Sequence, residues 1–134
     1  MTISLNICFL TVHDPDLAIA FYRDTLGLEL TNDVAADDYR WVTVTAPGRT
    51  GTEIVLVQPH AGKSQDDGDA LAALLAKGSL PGLIFEVDEL DPFFEKVQAS
   101  GAEVLQEPMD QFWGRDCAFR DPSGNMIRIK QRRE

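Results

Sequence analysis

Few side chains in this sequence are of the types that do metal or nucleophile chemistry: two histidines, His13 and His60, and two cysteines, Cys8 and Cys117. A facial metal triad asks for two imidazoles and a carboxylate on rigid elements that fix their geometry. His13 opens the turn HDP after an apolar run, and His60 follows Pro59 in a polar connector, so neither imidazole projects from the centre of a strand. Local hydrogen bonding within a turn is what those positions favour. Cys8 and Cys117 sit inside strand-like apolar runs and belong to no CxxC motif, which points to reduced, packed thiols. Nothing in DCAFRD around Cys117 marks a lowered thiol pKa. The sequence therefore predicts no metal and no other cofactor.

The elements that must position these residues occur twice along the chain. ICFLTVHDPDLAIAFYRDTLGLEL and LIFEVDELDPFFEKVQASGAEVL both read strand, turn, helix, Gly, strand. In the first copy the β-rich run Ile7 to Val12 precedes Leu17, Ala18, Phe21, Tyr22 and Leu26 at helical spacing, with Gly27 as the C-terminal stop. The second copy gives a strand from Leu83 to Val87, a helical stripe of Leu90, Phe93, Phe94 and Val97, and Gly101 as stop. Val12 and Val87 are 75 residues apart, and Gly27 and Gly101 are 74 apart. YRWVTVTAPGRTGTEIVLVQ and QFWGRDCAFRDPSGNMIRIKQ continue the match as aromatic strand, Pro/Gly turn, strand and Gln.

The expected class is α+β, a single domain over 1–134, with a first βαβββ module at 3–58, a linker at 59–80 and a second module at 81–131. Within the linker, GKSQDDG predicts an exposed loop and ALAALLAK a short helix ending at Gly78. A βαβββ unit leaves the sheet face opposite its helix uncovered. Curled sheets from two units are thus expected to form a cleft, the natural place for a ligand.

With 134 residues and 44% hydrophobic content, the chain can bury one real core. No run of about 18 apolar residues appears, and MTISLNICFL lacks the basic and apolar regions of a signal peptide, so a soluble cytoplasmic protein without membrane partners is expected. A net charge of −10 repels phosphate backbones, and only Lys130, Arg132 and Arg133 begin a basic footprint. Nucleic acid is excluded as a partner on that ground.

Three stretches carry a more specific likeness. VHDPDLAIAFYRDTLGLEL contains FYxxxLGxE at Phe21, Tyr22, Leu26, Gly27 and Glu29; FEVDELD spans Phe85 to Asp91; and RDPSGNMIRI, Arg120 to Ile129, contains a DPxGN turn. In this order on a duplicated chain, they resemble the vicinal-oxygen-chelate superfamily of glyoxalases, bleomycin-resistance proteins and extradiol dioxygenases. Metal-dependent members of that superfamily bind Fe, Mn, Zn or Ni through His, Glu and sometimes Gln on the first and last strands of each module. The resemblance carries those positions onto Ile7, Val55, Gly82 and Arg128. None of the four is a ligand, and a guanidinium is permanently charged and only donates.

Alternation along the strands then extends the ligand-equivalent face to Phe9, Thr11, Glu53, Val57, Ile84, Glu86, Met126 and Lys130. Cys8, Leu10, Val12, Ile54, Leu56, Leu83, Phe85, Val87, Ile127 and Ile129 face the helices. Phe9, Trp41, Val55, Ile84, Trp113 and Arg128 are the candidate ligand contacts, the tryptophans standing in strands that wall the cleft and stacking on flat ligands or packing in the core. Arg128 would clamp a carboxylate or phosphate, or pair with Glu86 or Glu53 across the sheet. Glu53 and Glu86 are the only inward carboxylates on this reading, and Glu86 lies near the turn at Asp88.

Two functions follow from different classes. One is a binder similar to bleomycin-resistance proteins, holding a small planar or cationic molecule in the cleft between modules. The other is a metal-independent lyase, isomerase or dioxygenase-like enzyme working through Glu53 or Glu86. The resemblance also implies a homodimer.

Overall fold

Alternating apolar residues build two four-stranded mixed sheets in the computed structural model, which describes residues 1–36, 38–47 and 51–133. The first module runs β1 (Ile7–Thr11), α1 (Pro15–Ile19), β2 (Glu29–Ala36), β3 (Tyr39–Thr45) and β4 (Glu53–Val57). After the linker helix α2 (Gln65–Ala76) come β5 (Leu83–Val87), α3 (Leu90–Ala99), β6 (Glu103–Gln111), β7 (Gly114–Arg120) and β8 (Met126–Gln131). The strand orders are β1-β4-β3-β2 and β5-β8-β7-β6. β1/β4 and β5/β8 are parallel and the other pairs antiparallel. The duplication extends to register, since Phe9 stands opposite Val55 as Ile84 stands opposite Arg128. Gly48 of the expected Pro/Gly turn lies outside the described residues.

Local chemistry sets the helix ends. Asp14 caps α1 by accepting from the amides of Asp16 and Leu17, with Pro15 in the first turn. The regular helix expected up to Leu26 holds only to Ile19; Ala20–Thr25 continues as a π-helical segment, with the Leu26 amide bonded to the Phe21 carbonyl at 2.9 Å. Phe21 and Tyr22, adjacent there, meet edge to face with centroids 5.0 Å apart and both are buried. Gly27 and Gly101 end their helices at φ +88° and +94°, as their matched positions require.

The linker departs from expectation. GKSQDDG is not all loop: α2 starts at Gln65 because Ser64 accepts from the Asp67 amide, and Asp66 and Asp67 sit at the positive end of the helix dipole. Among the described residues no helix is long and apolar enough to cross a membrane.

The helix-bearing sides of both sheets share one continuous core. It contains Leu10, Val12, Ile54, Leu56, Ile127 and Ile129, as alternation predicts, and Cys8, Leu83, Phe85 and Val87 pack half-buried against it. The DPSGN turn fastens the modules together: the Tyr22 hydroxyl donates to Asp121 Oδ2 at 2.6 Å, the Asn125 amide group to the Thr11 carbonyl at 2.7 Å, and the His13 amide to Ser123 Oγ at 2.9 Å. Asn125 Oδ1 is buried with no partner among the described residues, a local cost of that fastening. Because the modules meet on their helix sides, the opposite sheet faces of the single chain are left open.

Candidate functional site

On the open face of the first sheet, register places Phe9, Val55 and Thr43 in one row. Trp41, beside Val34 on β2, belongs to the next row. The Phe9 and Trp41 rings meet edge to face with centroids 6.0 Å apart, and they stand 60% and 40% exposed. Ile7 and Val34 extend this apolar surface, also exposed, while Val55 and Thr43 are buried beneath it. Val55, proposed as a ligand contact, is 1% exposed and supports the surface without presenting one of its own. An aromatic pair of this kind, uncovered among further apolar residues, is an unusual feature for a folded chain to leave facing water.

The second sheet carries Ile84, Arg128, Ala118 and Gln106 across one row. Ile84 is 66% exposed. Arg128 does not pair with Glu86 or Glu53. Its Nη1 donates to Asp116 Oδ2 at 2.9 Å and to Gln106 Oε1 at 3.2 Å. The reason is register: Asp116 and Ala118 lie on the neighbouring antiparallel strand, within a guanidinium's reach on the same face, whereas Glu86 is held by Arg132 at 2.9 Å and Lys130 at 3.5 Å.

Trp113 also departs from expectation. It stands in the turn between β6 and β7, where Gly114 takes φ +130°, and not in a strand. Its indole Nε1 nonetheless reaches back to Asp116 Oδ2 at 2.9 Å, and Gln106 Nε2 reaches Oδ1 at 2.8 Å. Asp116 is thus a fully buried carboxylate with three side-chain donors. Burial alone would raise its pKa, but hydrogen bonds from Trp113, Gln106 and Arg128, with the Arg128 charge, hold it below the ordinary carboxylate range.

Sequence reasoning missed Asp116 and Gln106. Alternation from the core residue Cys117 would have turned Asp116 to the open face. Gln106 was not legible, because register irregularities on both sides of it break the count along β6.

The weak catalytic candidates gain little. The Arg132 hydrogen bond, with Lys130, holds Glu86 below its ordinary pKa, which makes it a poorer base. Glu53 stands beside Ile7 at the start of β4, on the other sheet. The histidines are separate from both faces' central rows. His13 follows β1, and His60 Nε2 lies 2.8 Å from Asp69 Oδ1, a local contact with α2. Cys117 is buried, and desolvation followed by the Asp116 charge pushes its thiol up to about 12. We expect iodoacetamide at pH 8 to leave Cys117 unmodified in the native protein and to alkylate it in urea, read by peptide mass spectrometry. Native labelling of Cys117 would contradict its burial.

The four positions that the resemblance equates with metal ligands carry residues that do not fit a metal. Ile7 and Val55 carry no donor atom, and Arg128 spends its guanidinium on Asp116 and Gln106. Gly82 has no room for any side chain: a Cβ there would lie 1.8 Å from the Met126 carbonyl oxygen. Among the described residues, no three His, Cys, Asp or Glu side chains group to hold an ion.

A recess of about 580 Å³ runs along the helix-side seam between the modules, walled by Leu17, Phe21, Ala102 and Arg120 among others, away from the Phe9–Trp41 pair. What the open faces offer is therefore an aromatic, apolar surface on one sheet and a hydrogen-bonded arginine and tryptophan on the other. That combination suits the recognition of a flat molecule with a few polar atoms.

Comparison with known proteins agrees with this architecture. A sequence model of the Glyoxalase/Bleomycin resistance protein/Dioxygenase superfamily matches residues 4–129. The crystal structure of UcmS2 superposes with a TM-score of 0.88 at 29% identity, covering 97% of this chain and 98% of that one. TnmS3, an antibiotic binding protein from Streptomyces sp. CB03234, gives a TM-score of 0.78 at 30% identity, with 99% of each chain covered. YurT of Bacillus subtilis is 28% identical over 122 residues, 90% of this chain and 93% of its own.

Proposed function

The chain belongs to the Glyoxalase/Bleomycin resistance protein/Dioxygenase superfamily, and on that premise we propose that it is a metal-free binder of a small planar or cationic molecule. The observation that carries this reading is the Phe9–Trp41 pair, left open to solvent on an apolar sheet face. Aromatic faces stack on flat rings and attract cations, and the net charge of −10 favours the latter at long range. The likeness to TnmS3, itself an antibiotic binding protein, favours an antibiotic as the kind of ligand.

In this reading a homodimer completes the site. The open faces of one chain lie opposite their shared core and do not enclose a ligand by themselves. A second copy brings the Arg128 face of one chain over the Phe9–Trp41 face of the other, and buries Ile7 and Ile84 on the way. The alternative of an enzyme working through Glu86 is disfavoured by the pairing of that carboxylate with Arg132 and Lys130.

A thermal-shift screen of planar aromatics and cationic antibiotics tests the proposal. A cleft ligand at about a hundred times its Kd adds about 2.7 kcal/mol of stability. Trp41→Ala and Arg128→Ala are each expected to weaken the best hit by about tenfold or more. Hits that bind both variants as tightly as the parent would place the ligand elsewhere and end this reading.

A further inference from the structure

We propose that Asp116 sets the charge preference of the cleft, so that the site selects an uncharged planar molecule bearing a hydrogen-bond acceptor over its anionic and cationic analogues. The inference rests on the binding reading above and narrows its ligand to the planar class, setting the local balance of charge at Arg128 and Asp116 above the long-range pull of the net charge on a cation.

Asp116, Gln106 and Arg128 form a closed circuit, which Trp113 joins at Asp116. Asp116 Oδ2 accepts from both Trp113 Nε1 and Arg128 Nη1 at 2.9 Å, Oδ1 accepts from Gln106 Nε2 at 2.8 Å, and Gln106 Oε1 accepts from Arg128 Nη1 at 3.2 Å. The carboxylate is fully buried, while the arginine side chain keeps 24% of its surface exposed. One negative and one positive charge therefore cancel within a single hydrogen-bonded unit, and only the positive member reaches the open face.

Cancellation does not silence the arginine. Among the described residues its hydrogen bonds all run through Nη1, leaving the N–H groups of Nε and Nη2 to serve a ligand. Those donors come with their direction fixed by Asp116 and Gln106, so little ordering is required when an acceptor arrives. A carbonyl oxygen meets them at no cost in net charge. A carboxylate gains from Arg128 but must sit close to Asp116 in a dry cleft, and an ammonium meets the reverse conflict.

Several other charges near this surface are paired, while Arg133 donates to the Trp113 carbonyl. Lys130 and Arg132 pair with Glu86, and Arg132 also bonds Asp88. The Phe9–Trp41 face, brought by the second copy in the binding reading, adds aromatic area, with Glu53 at its edge beside Ile7. Trp113, tied to the same Asp116 oxygen as Arg128, is held where the acceptor-bearing ring would stack. Asp116 is accordingly a positioning residue: it acts on the ligand through Arg128 and Trp113.

Three isosteric probes isolate the effect: 2-naphthamide, 2-naphthoate and 2-naphthamidine, titrated calorimetrically into the full chain. The parent protein is expected to prefer the amide. Asp116→Asn leaves Arg128 uncompensated and should raise the affinity ratio of naphthoate to naphthamide about tenfold. Arg128→Gln leaves Asp116 uncompensated and should raise the ratio of naphthamidine to naphthamide by a similar factor. Ratios are insensitive to a general loss of stability, and Arg128→Gln carries the test alone if Asp116→Asn does not fold. If the probes bind the parent and both ratios stay unchanged, Asp116 has no part in selectivity and the inference falls by itself. If none of the three binds the parent, the cleft reading falls and takes the inference with it.

Discussion

Asp121→Ala is expected to lower the unfolding free energy by about 3–5 kcal/mol, near the upper end for single substitutions. The carboxylate is 5% exposed and serves four donors. Oδ1 accepts from the amides of Ser123 and Asn125, each at 2.9 Å, and Oδ2 from the Tyr22 hydroxyl at 2.6 Å and Asn125 Nδ2 at 3.0 Å. Three of these bonds fold the DPSGN turn on itself, and the Tyr22 bond reaches into the other module. Burial first, and then the Asp121 charge and hydrogen bond, raise the Tyr22 pKa well above that of an ordinary phenol, so the hydroxyl remains a donor at physiological pH. Alanine strands all four donors at a buried seam, where each unmade bond carries its desolvation penalty. Tyr22→Phe deletes only one donor and leaves Asp121 three, so a loss of about 1–2 kcal/mol is expected. Urea unfolding followed by circular dichroism separates the two. Equal losses would mean that the turn holds itself without Asp121 and that the module seam is secured elsewhere.

That seam marks the boundary of what the sequence made legible. Period-two alternation assigned the helix-facing side of every strand it was applied to, because one face buried against a helix leaves a strong apolar signature: Leu10, Val12, Leu56, Ile127 and Ile129 are all buried as expected. The equivalence of the two copies extends to a register that repetition alone does not give, with Phe9 opposite Val55 and Ile84 opposite Arg128. What failed was decided by contacts distant in sequence or by small backbone irregularities. Trp113 reads as a strand residue until Gly114 turns the chain beside it. The early start of α2 depends on one serine cap. Arg128 pairs with Asp116 and not with Glu53 or Glu86, because Asp116, on the side of β7 opposite to Cys117, shares the face of the arginine. Whether the modules meet by their helix sides or their sheet faces was not written in either repeat alone; it depends on Tyr22, Asp121 and Asn125 meeting across about 100 residues of chain.

Gly82→Ala is expected to cost about 2–4 kcal/mol, a large effect for one methyl group at a half-buried site. Its backbone is not in the left-handed region that commonly demands glycine, so the reason is closeness. The added Cβ would stand 1.8 Å from the Met126 carbonyl oxygen and 2.9 Å from its carbon. Main-chain atoms have no rotamer by which to yield, so either the start of β5 or the start of β8 must move. Register runs on from this point through Leu83 opposite Ile127 and Ile84 opposite Arg128, and a shift here is felt by that arginine. The same clearance bears on metal chemistry. A histidine at position 82 meets the carbonyl at its first side-chain atom, before its imidazole is placed at all. The double variant Gly82→His, Arg128→Glu, which writes two ligand types back onto the second module, is therefore expected to melt lower than the parent and to gain no calorimetric binding of Zn²⁺ or Mn²⁺. A Gly82→Ala protein as stable as the parent would show that the strands have slack at this point, and a stoichiometric metal in the double variant would show that the fold still keeps the space for one.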